Sequence, residues 1–325
     1  MKPYELTRRA LLAGTGAALS GVALSRMPAA EAADAGSGAA TAAPAAAAGT
    51  ITLGRDMSVN RLGFGAMRVT GEGIWGDPPD IAEARRVLQR AVELGVNFID
   101  TADSYGPGVS ERLIAEALHP FSKGLLIATK GGIVRPARDR WERDGRPEHL
   151  RAACEASLKR LRLERIDLYQ LHAIDPNVPM EDSVGELARL QKEGKIRHIG
   201  VSNFDAEQLK KARAIVDIVS VQNRYNVSDR SSDPVLEACE RDGLAFIPWS
   251  PLSQSPRDSS AGSREVLAAW AEKRGLSFPQ AAIAWLLARS PAMLPIPGTS
   301  KRAHLEENVA AASVRLAPEE MRAIG

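Results

Sequence analysis

The chain has 325 residues, with 42 Lys and Arg against 40 Asp and Glu and a formal charge of +2. Acidic and basic residues are interspersed, which excludes a basic arm or stripe of the kind that tracks a polyanion, so no nucleic-acid partner is expected. A 44% hydrophobic content is enough for a sizeable core, and an α/β barrel commonly runs to about 250 residues as one domain.

The first fifty residues are a different material from the rest. Residues 7–24 read TRRALLAGTGAALSGVAL, an arginine pair ahead of an apolar small-residue stretch, and Ala30-Glu31-Ala32 fits a small-x-small cleavage site. This resembles a twin-arginine export signal, with Thr7, Arg8 and Arg9 as the pair and Leu11 and Leu12 as the hydrophobic follow-on. An uncleaved anchor is the alternative, but the Gly- and Ala-rich stretch is short and weakly apolar for a span of about 20 residues. We expect residues 1–32 to be removed, the twin-arginine translocase to be the partner during export, and the mature chain to lie in the periplasm without a membrane span. Residues 33–50, rich in Ala, Gly, Ser, Thr and Pro without an apolar period, are expected to form a flexible tether outside the fold. Gly14 and Gly16 lie inside the signal, and the sixth position of a dinucleotide fingerprint falls on Leu19 rather than glycine.

From residue 51 apolar runs alternate with amphipathic stretches. A hairpin-like lead runs into LGFGAM, the first strand, and Ile81, Ala84, Val87, Leu88, Ala91 and Val92 then share one helical face. VNFID is a strand and SERLIAEAL a helix with Ser110 as its cap. LLIAT is followed by a helix over 147–162 opened by Pro147, and IDLYQLH by a helix over 181–193. IRHIGVS precedes a helix over 205–215 capped by Asp205, and IVSVQN precedes 233–242. LAFIPWS precedes helical segments at 262–274 and 278–289, and MLPIPG precedes 301–311. Strands apolar throughout and separated by helices imply a parallel sheet covered on both faces. Eight such units imply a (β/α)8 barrel with an N-terminal β-hairpin over residues 51–325, the alternative being an open sheet with a small helical domain. Cys154 and Cys239 fall on apolar helix faces and read as free core thiols.

Active sites of such barrels lie at the C-terminal ends of the strands. The second apolar run ends in Asp100 with Tyr105 just beyond, the third in Lys130, the fourth in His172. A carbonyl reduced by hydride develops negative charge on oxygen and needs a proton donor. A phenol can serve if a neighbouring ammonium brings its pKa down, while an aspartate holds that ammonium in place and a histidine hydrogen-bonds the carbonyl oxygen. Singly, each residue also has a structural reading as strand-end cap, loop aromatic, surface charge or core imidazole. His119, His149 and His198 do not share the rim position and read as structural.

These motifs resemble the aldo-keto reductase family, and the resemblance covers essentially everything from residue 51. GVNFIDTADSYG is similar to that family's aspartate and tyrosine motif, ATK to its lysine and DLYQLH to its histidine. The resemblance implies that Tyr105 is the general acid, Lys130 its pKa modulator, Asp100 the lysine's partner and His172 the substrate-orienting group. No residue can donate hydride, so a nicotinamide is required. The resemblance places it against Gly65 and Met67 after the first strand and against Ser202, Asn203 and Gln222 at its carboxamide. Trp249 stands where the family usually stacks a tyrosine, and Ser250 and Leu252 resemble the pyrophosphate-covering loop. Gly298, Thr299 and Ser300, with Lys301 or Arg302, would receive a ribose 2′-phosphate at a helix N-terminus, and Glu307 and Asn308 match adenine contacts. His304 replaces an arginine common in the family. NADPH is expected in preference to NADH, with no metal. Trp75 is a candidate pocket wall, whereas Arg135, Arg138 and Arg140 read as a solvated charge cluster. Few residues follow Asn308, so an open site for small or varied aldehydes is expected, and the pattern is similar to bacterial members of the pyridoxal-reductase-like type. The competing reading is an exported cofactor-binding regulatory or scaffold protein without turnover.

Overall fold

The computed structural model describes residues 43–252 and 261–325. The export signal expected at 1–32 lies outside them. Two antiparallel strands, β1 (Thr50–Leu53) and β2 (Met57–Asn60), form the expected hairpin. Its inward residues Leu53, Met57 and Val59 pack with Phe98, Leu126, Leu168 and Ala245 near the strand starts, so the hairpin plugs the N-terminal end of the barrel.

The wall of the barrel is a seven-stranded sheet in the order β11-β10-β9-β8-β5-β4-β3, paired in parallel throughout. The strands are β3 (Phe64–Gly65), β4 (Phe98–Asp100), β5 (Leu126–Gly131), β8 (Ile166–Leu171), β9 (Ile196–Ser202), β10 (Ile218–Arg224) and β11 (Ala245–Trp249), while β6 (Ile133–Ala137) and β7 (Arg140–Arg143) form a hairpin above the rim after β5. The eighth expected strand, MLPIPG, joins β11 to β3 through isolated bonds. Phe246 N donates to Ala292 O at 2.8 Å, Leu294 N to Phe246 O at 2.9 Å, and Gly63 N to Pro295 O at 2.9 Å. Pro295 and Pro297 have no N–H, so a continuous ladder cannot run through this segment. The two chain segments touch closely instead: a Cβ on Gly298 would fall 2.3 Å from Gly65 O, and one on Gly65 would fall 2.7 Å from Ile296 O.

Around the wall lie α1 (Ile81–Glu93), α2 (Val109–Leu118), α3 (Pro147–Leu161), α4 (Met180–Lys192), α5 (Ala206–Arg213), α6 (Asp233–Asp242), α7 (Ala261–Lys273), α8 (Phe278–Arg289) and α9 (Arg302–Ala310), with a short α10 (Pro318–Ile324) after them. Strand alternation separates two layers. Ile99, Ile127, Tyr169 and Leu171 face the helices, while Phe98, Leu126, Ala128 and Leu168 fill the barrel. Asp100, Lys130 and Gln170 share the inward parity of that second set, one level nearer the rim.

Two local expectations are corrected. The last residues of the tether expected over 33–50 are part of the fold: Pro44–Ala48 form a 3-10 turn, Ala45 is fully buried, and its N–H donates to Leu94 O at 2.9 Å. Side chains as small as alanine fit this groove, and Pro44 presets the turn; residues 33–42 lie outside the described residues. Ser110 does not cap α2, whose N-cap is the left-handed Gly108; its hydroxyl donates instead to Ala66 O at 3.1 Å and accepts from Thr101 Oγ1 at 2.7 Å. Asp205 caps α5 in a reciprocal box with Gln208, as expected. Cys154 on α3 and Cys239 on α6 are buried free thiols, each pushed up to about 12 by burial and so unreactive near neutrality.

Candidate active site

The four residues picked out at the strand ends converge at one rim. Lys130 Nζ donates to Asp100 Oδ1 at 2.6 Å and to Thr101 O at 2.8 Å, and it lies 5.4 Å from the centre of the Tyr105 ring. The Tyr105 and His172 rings meet edge-on with centroids 5.9 Å apart. Lys130 is fully buried and Asp100 and Tyr105 nearly so. An isolated charge at such depth would be very costly, so each needs its partner. Burial pulls the lysine toward neutrality, but the Asp100 carboxylate and Tyr105 more than offset it and hold the ammonium charged.

Tyr105 differs from expectation in one respect. Burial raises its phenol above the ordinary tyrosine value, and the attraction of Lys130, acting downward, does not overcome it. The phenol is therefore protonated at neutral pH, and Lys130 matters for the phenolate left after a proton has gone. Burial, aided by Lys130, lowers His172 well below the ordinary imidazole value, leaving it neutral. Its Nδ1 lies 3.5 Å from Ser104 Oγ.

Asp100 has further partners that the motifs did not single out. Its Oδ2 accepts from Gln170 Nε2 at 3.0 Å and from Gln222 Nε2 at 2.8 Å. Gln170 lies two residues before His172 on β8, so the period of two already placed it on the inward face. Gln222, assigned by resemblance to a carboxamide contact, uses its amide nitrogen inside the protein. Asp103 stands apart from the lysine–aspartate pair: burial, aided by Glu111, raises its carboxyl well above the usual range, and its Oδ1 is buried without a hydrogen-bond partner.

The remaining cofactor candidates are spread around the same rim. Asn203, in the left-handed region at φ 61°, donates to His172 O at 3.0 Å and to Ser202 Oγ at 3.1 Å, and its Oδ1 accepts from Trp249 Nε1 at 3.0 Å. Asparagine is among the few residues that tolerate this conformation. Trp249 is thereby tied to the strand that carries His172. Ser250 also adopts a positive φ, Leu252 packs partly into the core, and Met67 is half-buried in the turn after β3. At α9 no side chain caps the first turn; Thr299 Oγ1 accepts from Lys301 N at 3.1 Å, Ser300, Lys301 and His304 are exposed, and Asn308 is buried while Glu307 is half-buried. Free first-turn amides beside cations suit a phosphate. Arg302, by contrast, already pairs with Glu83 at 3.0 Å.

Above the site, Trp75 bridges to Gly106, the residue after Tyr105. The arginine cluster is not simply solvated: Arg138 pairs with Glu72 and Arg140 with Glu142, while Arg135 is buried against both Trp75 and Trp141. A cleft of about 340 Å³ lies next along the rim, lined by Arg143, Ala173, Ile174, Pro176, Asn203 and Gln208, with none of the four rim residues in its wall. Among the described residues no helix is long and apolar enough to cross a membrane, and no cluster of metal-ligating side chains occurs.

Comparison with known proteins agrees with this geometry. Residues 61–325 match the model of the Aldo/keto reductase family. An uncharacterised oxidoreductase of Schizosaccharomyces pombe is 50% identical over 281 residues, covering 86% of this chain and 90% of its own. The pyridoxine 4-dehydrogenase of Escherichia coli is 43% identical over 277 residues, covering 83% and 95%. Among solved structures, an aldo-keto reductase from Klebsiella pneumoniae in complex with NADPH superposes with a TM-score of 0.71 at 26% identity, covering 85% of this chain and 93% of that one. A match that takes in every strand of the wall and all four rim residues has one meaning: this chain belongs to the aldo/keto reductase family.

Proposed function

We propose that the protein reduces aldehyde or ketone carbonyls to alcohols with NADPH, Tyr105 acting as general acid. The observation that carries this reading is the buried Lys130–Asp100 pair set beneath a protonated phenol. Bound along the rim, NADPH would supply the hydride. As the carbonyl carbon gains it, the oxygen takes the Tyr105 proton, and the resulting phenolate rests beside the Lys130 ammonium until water reprotonates it. Neutral His172 donates its one N–H to the carbonyl oxygen and so orients the substrate without adding charge. Asp100 acts only through Lys130, with Gln170 and Gln222 fixing its second oxygen. At the far end, Lys301 and the uncapped start of α9 meet the 2′-phosphate.

The name of the Escherichia coli relative, a dehydrogenase of pyridoxine, supports an aromatic alcohol and its aldehyde as the substrate pair. The arginine pair and small-x-small site of residues 7–32 support a further part of the proposal, that the mature chain works outside the cytoplasm after folded export. Absorbance of NADPH followed with a panel of aldehydes tests the chemistry. Tyr105→Phe should bind NADPH normally and lose turnover by about 10² to 10⁴-fold, the worth of a positioned general acid; full activity in that variant would remove Tyr105 from the mechanism.

A further inference from the structure

The loop after β3 contains two consecutive left-handed residues, Gly73 at φ 67° and Ile74 at φ 59°. A glycine adopts this conformation freely, but a β-branched isoleucine does so only when its surroundings enforce it. The enforcing group is visible. Arg135 Nη1 donates to Ile74 O and Nη2 to Gly73 O, each at 3.2 Å, while Nη2 also donates to Arg138 O. Two successive carbonyls thus point at one guanidinium from the β6–β7 hairpin. The same guanidinium lies between two indoles, 3.7 Å from the centre of the Trp141 ring and 5.5 Å from that of Trp75. It is 7% exposed and has no carboxylate at ion-pair distance among the described residues. A buried cation held only by carbonyl oxygens and ring faces is unusual, because burial of charge is ordinarily compensated by an opposite charge.

The strained turn connects directly to the chemistry. Ile74 O also accepts from Gly106 N at 3.2 Å, and Gly76 N donates to Gly106 O at 3.1 Å, so Trp75 is stitched to the residue that follows Tyr105. The backbone is close-packed at the start of this loop: a Cβ on Gly71 would lie 2.3 Å from Trp75 O and 2.6 Å from Asp77 O. We propose that Arg135 is a positioning residue that holds the Gly73-Ile74 turn and thereby fixes Trp75 as a rigid wall of the carbonyl pocket, selecting flat, aromatic aldehydes over small aliphatic ones. The inference rests on the reductase reading and deepens it by naming what sets substrate choice. A pre-positioned indole presents a face without ordering cost at the moment of binding, which favours planar partners.

The test compares the natural protein with Arg135→Met, which keeps the stem but not the fork, and with Trp141→Leu at a partly exposed position where folding is not in question. Steady-state NADPH oxidation is measured with benzaldehyde and with propanal, alongside NADPH affinity, thermal midpoint and acrylamide quenching of tryptophan emission. In Arg135→Met the preference for benzaldehyde should fall about tenfold, the size of one aromatic contact with a pre-positioned wall that propanal cannot make. The loss should reside in KM, with kcat and NADPH affinity retained and quenching increased; Trp141→Leu should shift the preference in the same direction by less. An unchanged preference would overturn the proposal, as would an equal loss of kcat for both aldehydes that follows the thermal midpoint. If the natural protein reduces no aldehyde of the panel, it is the reductase reading that fails; the clamp is then decided by quenching, and unchanged quenching in Arg135→Met refutes it.

Discussion

His172 illustrates how depth sets the role of a single side chain. Burial and the nearby Lys130 ammonium push its pKa well below the ordinary value of about 6.5, so the unfolded chain takes up a proton there before the folded one does. Stability attributable to this residue is therefore full above about pH 6.5 and declines as pH falls through the window below it. Thermal midpoints measured from pH 7 to pH 5 should fall less steeply in His172→Gln than in the natural protein; identical slopes would mean that His172 is not held neutral. Asp103, whose carboxyl burial pushes upward, acts in the opposite sense in acid and is common to both proteins, so the comparison isolates the imidazole. At this scale the four rim residues were legible because Asp100, Lys130 and His172 each end an apolar run and Tyr105 follows one loop after the first of them. Gln170 was equally legible by strand parity, but its type suggests no chemistry until Asp100 is seen to need a second donor. The direction of the Tyr105 shift was not legible, because it is a balance between burial and one ammonium that only packing determines.

Among the elements, α9 shows most clearly what a motif contains and omits. Lys301 and Arg302 were interchangeable candidates for the 2′-phosphate as long as only their spacing was known. Glu83 on α1 separates them: it holds Arg302, whereas Lys301, the exposed N-cap residue, has no ion-pair partner among the described residues. Replacing Lys301 by alanine should weaken NADPH binding about tenfold or more, the worth of one charge-assisted hydrogen bond, with NADH affinity changed less than about twofold. Arg302→Ala should have the smaller effect, and equal losses for both cofactors in titrations of Lys301→Ala would show that no phosphate binds there. The β6–β7 hairpin was hidden for a related reason. Its residues alternate too weakly to announce strands, and its contacts join Arg135 to Trp141 within the hairpin and to the Gly73-Ile74-Trp75 segment far away in sequence.

For the whole molecule, the alternation of apolar runs with helical faces was sufficient to give the barrel and its plugging hairpin. What it did not give was that Pro44–Ala48 belong to the fold, since an alanine-rich stretch has the same composition whether it packs, as these residues do, or stays in solvent. The sequence before that point bears on where the protein works. Fractionation of cells making the full chain should find it outside the cytoplasm, and Arg8→Lys with Arg9→Lys should leave it inside; unchanged distribution would remove the export proposal. The ring of strands also has one thin joint, where Pro295 and Pro297 leave three isolated hydrogen bonds and the contact of Gly65 with Gly298 to close it. A closed ring of equal links has no preferred place to open, but this one does. Local opening is therefore expected first where the segments carrying Met67 and Thr299 meet, with amides there exchanging sooner than those of the strands beside Lys130 and His172.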